Sequence, residues 1–226
     1  MAKITVDGKQ IDAEDGKSLL EACLKNGIYI PNLCFLETMD EPTGSCRLCF
    51  VEIEGRDKMT PSCQTKVADG MVVRTDGPEV REAQKVVFQL LFSAHHMACK
   101  NCLVKKNCQL QKIAKLLGVR LKASKGGQAG CGIATGTGTD MRHPCLELIP
   151  AKCILCRKCI HVCSERNKKP VLSLVKDGAD MAIGFACDYP PTVNCEECRA
   201  CVEVCPVSAI VPRQNGANAS AAAENA

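Results

Sequence analysis

The chain has 226 residues, 19 of them cysteine, only seven aromatic, and a formal net charge of +4. That length admits one or two ordinary domains, and so few aromatics exclude a large aromatic core. The opening MAKITVDGKQ lacks a basic segment followed by an apolar run, and nowhere do about 18 apolar residues follow one another, so the expectation is a cytoplasmic chain without a membrane span, its cysteines holding metal rather than disulfides.

In chain order, Lys3 to Val6 reads as a strand, Asp7-Gly8 as a hairpin turn and Lys9 to Ile11 as the return strand. Ser18 followed by Glu21 predicts a capping box, with Leu19, Leu20, Cys23 and Leu24 on one helix face until Gly27. A cysteine loop follows, then strands around Phe50 to Ile53 and Met71 to Arg74, a β-grasp-like order. Val86, Val87, Leu90 and Leu91 recur at helix period, and a second helix is expected from Gln109 to Leu117 before Gly118. Residues 123–140 are Gly/Thr-rich and unpatterned, and they lack the Gly-Lys-Ser/Thr ending of a phosphate-binding loop. The tail 213–226 has no apolar face and is expected to be disordered.

The cysteines fall into spaced sets. Cys34, Cys46, Cys49 and Cys63 are separated by eleven, two and thirteen residues. Plant-type [2Fe-2S] loops share the close pair and the remote fourth ligand but have a shorter first gap, and a zinc ribbon is the alternative. His95, Cys99, Cys102 and Cys108 form a run with only three thiols, in which spacing favours His95 over His96. Cys153, Cys156, Cys159 and Cys163, then Cys195, Cys198, Cys201 and Cys205 before Pro206, are two C-x2-C-x2-C-x3-C runs, the arrangement of bacterial two-cluster ferredoxins. There the fourth cysteine of each run serves the other cluster. The ligand sets are then Cys153, Cys156, Cys159 with Cys205, and Cys195, Cys198, Cys201 with Cys163. Four-thiolate zinc accounts for the close pairs but not for the third and fourth members. Ser164 stands where a Pro would follow the first run. Of the remaining cysteines, Cys23 reads as a buried small hydrophobe, and Cys131, Cys145 and Cys187 as loop residues without a metal role, an extra or interface ligand being the lesser reading. His143 and His161 have no partner pattern.

The lengthened gap after Cys34 resembles the [2Fe-2S] domain that opens the large iron-sulfur subunit of respiratory complex I and of many hydrogenases. The histidine with three cysteines resembles the [4Fe-4S] motif of that subunit. Across residues 1–212 the motif order is similar to the small iron-sulfur subunit of NAD(P)-linked hydrogenases and formate dehydrogenases, electron-bifurcating ones included, and to the N-terminal part of [FeFe]-hydrogenases. The resemblance implies an α+β fold: a β-grasp [2Fe-2S] domain at 1–78, a helical histidine-ligated [4Fe-4S] segment at 79–122, a linker at 123–145 and a two-[4Fe-4S] ferredoxin-like domain at 146–212. It implies one [2Fe-2S] and three [4Fe-4S] clusters in a non-catalytic electron-transfer subunit. The implied partners are a flavoprotein that oxidises NAD(P)H, a catalytic hydrogenase or formate dehydrogenase subunit, and a ferredoxin. The molybdopterin-oxidoreductase-like and [FeFe] catalytic domains that follow in those relatives have no counterpart within these 226 residues, and the stretch 123–140 with Cys131 and Cys145 fits neither pattern.

Loaded with four oxidised clusters, the formal charge becomes about −3, so the positive sign belongs to the empty chain. Lys105, Lys106, Lys112 and Lys115 form the densest basic group, which reads as a solvated or docking face rather than a nucleic-acid stripe. A free-standing multicluster carrier and a non-redox metal scaffold or sensor are the competing functions.

Overall fold

The computed structural model describes residues 1–97, 99–121, 143–167, 170–177, 180–186 and 194–213. Cys131, Cys187, the Gly/Thr-rich stretch and nearly all of the tail lie outside the described residues.

Strands β1 (Ala2–Val6) and β2 (Lys9–Ala13) pair antiparallel, with Ile4 opposite Ile11. Asp7 and Gly8 take φ of 51° and 79°, the left-handed geometry that matches a two-residue turn to strand twist. Helix α1 (Leu19–Lys25) starts at Ser18, whose Oγ accepts the Glu21 N–H at 3.2 Å. The expected capping box is only half formed. The Glu21 carboxylate instead accepts from Lys17 and Lys25, each at 3.1 Å, two cations it reaches at i±4.

Strands β3 (Phe50–Ile53), β4 (Thr60–Pro61) and β5 (Val72–Arg74) complete a five-stranded sheet in the order β2-β1-β5-β3-β4. Only the β1–β5 contact is parallel among the described pairs of this sheet. Helix α1 covers one face, burying Ile4, Val6, Leu19, Leu20, Val51 and Val73 in a first core. Cys23 is wholly buried there, and loss of solvent pushes its thiol up to about 12.

Helix α2 (Pro78–Ser93) turns inward a face that the recurrence of Val86, Val87, Leu90 and Leu91 does not mark. Val80, Gln84 and Phe88 are the buried residues, whereas Val86 and Leu90 are 46% and 66% exposed. Val87 and Leu91 pack at the margin of a second core. The apolar run straddles two helix faces, and the bulkiest ring, stacked on Phe92, takes the interior. Gln84 is tolerated because its Nε2 donates to the Phe50 carbonyl at 3.1 Å. Helix α3 (Gln109–Leu117) presents Leu110, Ile113, Ala114 and Leu117 to the same core.

The C-terminal part contains β6 (Leu146–Leu148) antiparallel to β9 (Ile210–Pro212), the hairpin β7 (Leu172–Asp177) and β8 (Asp180–Phe185), and helices α4 (Lys158–Arg166), α5 (Cys195–Cys198) and α6 (Ala200–Glu203). A third core forms between them. Among the described residues, no helix is long and apolar enough to cross a membrane.

Candidate iron–sulfur sites

Three loops share one local design. Cys46-Arg47-Leu48-Cys49, Cys156-Arg157-Lys158-Cys159 and Cys198-Arg199-Ala200-Cys201 each place an arginine directly after a cysteine, and each arginine has a left-handed backbone, with φ of 53°, 61° and 43°. A non-glycine residue enters that region at a cost of about 1 kcal/mol, so the surroundings must impose it. The turn reverses the chain between two thiols and lets both face one side. Gly44 makes the first loop tighter still: at φ 61°, a Cβ there would lie 2.5 Å from the Gln64 side chain.

Cys34, Cys46, Cys49 and Cys63 are all buried, none more than 2% exposed. The Sγ atoms of Cys34 and Cys46 are 3.3 Å apart, and Cys46 Sγ also accepts the Leu33 N–H at 3.4 Å. Ser62 fixes the other half of the loop by donating both its N–H and its hydroxyl to the Cys49 carbonyl. Bonds from Cys46 and then Cys63 pull the Cys34 thiol down, and a bond from Cys63 brings Cys49 to about 7, while Cys46 and Cys63, as donors, are pushed up. Four thiols enclosed together, two already inclined to be thiolates, form a donor set suited to a cationic core.

His95, Cys99, Cys102 and Cys108 line one cavity, together with His96, Lys105 and Gln111. His95 Nδ1 lies 2.9 Å from the Lys152 carbonyl. A carbonyl can only accept, so Nδ1 carries the proton and Nε2 keeps its lone pair for a metal. Burial lowers the His95 pKa against the opposing pull of that carbonyl. The neighbouring His96 also borders the cavity but is exposed, held by its backbone N–H to Ala151.

A second cavity brings Cys205 together with Cys153, Cys156 and Cys159, lined otherwise by apolar groups such as Ile154, Ile183 and Val207. Backbone amides reach its sulfurs: Leu155 N–H to Cys153 Sγ at 3.4 Å and Ala209 N–H to Cys205 Sγ at 3.2 Å. Burial pushes Cys153 to about 11 and Cys156 to about 12, and raises Cys159 further. In the third core, Cys163 sits near Cys201, Cys195 and Cys198, close enough that their charges act on one another. Cys163 Sγ accepts the Val171 N–H at 3.2 Å. Burial is again the main reason that Cys195 rises to about 11 and Cys201 to about 12.

On sequence alone, Cys145 has a ligand role only as the lesser reading and His143 has no partner pattern; the structure buries His143. The structure places Cys145 beside Cys195 at the margin of the third core, with its Sγ 3.6 Å from His143 Nδ1. No spacing motif signals this, because Cys145 is brought in by the pairing of β6 with β9. Among the described residues, no three His, Cys, Asp or Glu side chains converge tightly enough to grip a single ion. Two of the thiol sets instead line small cavities. An open groove on the sheet, between β3, β5 and residues 54–59, contains no cysteine or histidine.

Residues 1–78 match the family described as 2Fe-2S iron-sulfur cluster binding domain, and residues 84–122 match the NADH-ubiquinone oxidoreductase-G iron-sulfur binding region. This is an iron–sulfur protein. The iron–sulfur chain is 36% identical to the NADP-reducing hydrogenase subunit HndD of Solidesulfovibrio fructosivorans over 95% of its own length, but spans only 36% of that relative. It is 26% identical to the NAD-reducing hydrogenase HoxS subunit gamma of Cupriavidus necator, covering 95% of this chain and 88% of that one. Among solved structures, a chain of an NAD+-reducing [NiFe]-hydrogenase in the H2-reduced state superposes with a TM-score of 0.77 at 28% identity, covering 95% of this chain and 88% of that chain. The resemblance to iron-sulfur subunits of NAD(P)-linked hydrogenases therefore extends to the fold, and the 2Fe-2S and 4Fe-4S binding regions are both present.

Proposed function

We propose that the chain is a non-catalytic electron-transfer subunit of an NAD(P)-linked hydrogenase, formate dehydrogenase or complex I-like oxidoreductase, electron-bifurcating types included. Cys34, Cys46, Cys49 and Cys63 hold a [2Fe-2S] cluster. His95, Cys99, Cys102 and Cys108 hold one [4Fe-4S] cluster, Cys153, Cys156, Cys159 and Cys205 a second, and Cys163, Cys195, Cys198 and Cys201 a third. When bound, the clusters supply one-electron exchange. The protein's own groups position the cores, donate N–H bonds to sulfur and exclude water, which together tune the potentials.

The observation that carries this reading is the sharing of cores. Cys34, Cys46, Cys108, Cys153, Cys156 and Cys205, from three ligand sets, pack in or against the second core, and Cys153 also borders the third core, which contains Cys159, Cys163 and Cys201. Sites that share packed walls form a series of near neighbours, with the Cys153 set between the others. The implied donor is a flavoprotein that oxidises NAD(P)H, and the implied acceptor a catalytic subunit.

Elemental analysis of the anaerobically purified native protein tests the proposal. About 14 iron atoms per chain and equal acid-labile sulfide are expected, with co-migration of a flavoprotein on size exclusion. Zinc in place of iron would overturn the cluster assignment, and native migration as a lone chain would make it a free-standing carrier.

A further inference from the structure

The charged side chains that line the histidine-containing cavity, Lys105 and Lys152, are both cations, and the segment that supplies its cysteines is basic throughout. Between Glu82 and Asp140 the chain has no acidic residue, yet within that span Lys100, Lys105, Lys106, Lys112 and Lys115 all lie within seven residues of one of the cavity's cysteines. All five are exposed, and none forms an ion pair among the described residues. Their placement follows from the fold. Lys105 borders the cavity itself, with its N–H bonded to the Cys102 carbonyl. Lys112 donates its N–H to the Cys108 carbonyl in the first turn of α3, and Lys115 follows one turn later on the face opposite the buried Ile113 and Leu117. Leu103, between Cys102 and Lys105, is 66% exposed, and Leu116 is 43% exposed beside Lys115.

Five unpaired cations of like sign repel one another, and two exposed leucines gain nothing in water. A solvated face would more simply mix charges, as the ion pairs of Glu21 and Glu14 do on α1. The combination is a set of exposed cations and two exposed leucines carried by the same loop and helix that supply Cys102 and Cys108 to the cavity.

We infer that this face is a docking surface for an acidic electron-carrier protein, one that presents carboxylates around its own redox centre. Complementary charge would steer the encounter and accelerate association at low ionic strength, and the leucines would seat the contact. The inference rests on the reading that His95, Cys99, Cys102 and Cys108 hold a cluster, and it names where electrons cross between this chain and a partner.

The test uses the loaded full-length chain and a reduced plant-type [2Fe-2S] ferredoxin as the acidic probe. Electron transfer is followed by stopped flow from 20 to 300 mM NaCl. The triple variant Lys106→Glu/Lys112→Glu/Lys115→Glu spares Lys105, which borders the cavity. The expected result is a rate at 20 mM salt at least tenfold below that of the parent, a salt dependence flattened or reversed, and recovery in the Lys→Arg triple variant. Unchanged rates in the Glu variant, with the EPR signal of the histidine-ligated cluster intact, would overturn the inference alone. Parent protein that lacks this EPR signal would instead overturn the cluster assignment beneath it. Tight binding of duplex DNA, lost in the Glu variant while ferredoxin rates stay constant, would overturn it in favour of a nucleic-acid face.

Discussion

Cluster binding at the two best-defined thiol sets should respond differently to pH. At the Cys153 set, burial leaves the free thiols at about 11 for Cys153 and about 12 for Cys156, with Cys159 raised as well. Removing the first two protons at pH 8 costs about 4 and about 5.5 kcal/mol, at 1.36 kcal/mol per unit. In the loaded form these sulfurs are thiolates whose pKa lies far below the free values. Loading is therefore favoured progressively as pH rises toward 11 to 12 and loses ground as pH falls. Each of the three thiols contributes about one tenfold change per pH unit across neutral pH. At the N-terminal set, hydrogen bonds from neighbouring thiols bring Cys49 to about 7 and hold Cys34 below the usual thiol range, while Cys46 and Cys63 are raised, so fewer protons remain to be released there. Competition with an iron chelator between pH 7.5 and 9.5 measures both sets, the [2Fe-2S] cluster by visible circular dichroism and the [4Fe-4S] cluster by low-temperature EPR. After correction for protons taken up by inorganic sulfide, the expected slope of log occupancy ratio against pH is at least about three for the Cys153 set and shallower for the N-terminal set. Equal slopes, or a steeper N-terminal one, would refute the link between burial and proton release.

Lys158 is half-buried, and burial holds its ammonium below the usual lysine range. Its nearest charges are the thiols of Cys156, Cys34, Cys46 and Cys205, from two ligand sets. Lys158→Met should lower two midpoint potentials together, each by on the order of 50 mV, in an EPR-monitored redox titration; movement of one alone would contradict the shared placement. His95→Cys should retain a cluster and lower its potential by about 100 mV, because a thiolate adds a negative charge that the imidazole lacks; an unchanged spectrum and potential would remove His95 from the ligands. Phe88→Ala should destabilise the loaded chain by about 3 to 5 kcal/mol, whereas Leu90→Ala should stay within about 0.5 kcal/mol in chemical denaturation. Arg157→Val should destabilise by about 1 to 2 kcal/mol more than Arg157→Gly, since a β-branched residue tolerates the left-handed region least.

What could be read from the sequence is what is decided locally. The Asp7-Gly8 turn, the Ser18 cap and the end of α3 at Gly118 depend on residues within four positions of one another, so composition and spacing are sufficient. Strand β4 was not legible, because two residues including Pro61 have no periodicity and are held only by their pairing with Phe50 and Val51. The β7–β8 hairpin did leave a signal, alternating apolar residues on either side of Lys176-Asp177, but the cysteine runs flanking it dominate the reading of that segment.

The face of α2 shows why the remainder was hidden. Val86, Val87, Leu90 and Leu91 satisfy a helical period as well as Val80, Gln84 and Phe88 do, and a polar Gln84 counts against the second set. The choice is made from outside the helix, where the Phe50 carbonyl in β3 accepts from Gln84 and thereby admits it to the interior. The same holds at the thiols. Intervals along the chain indicate which cysteines belong together, but the N–H groups of Leu33, Leu155, Val171 and Ala209 that reach their sulfurs are supplied by loop conformation and not by side-chain type. Since hydrogen bonds to sulfur and burial set the potential of an iron–sulfur centre, a motif can specify the kind of site while the order of potentials along the chain resides in backbone geometry.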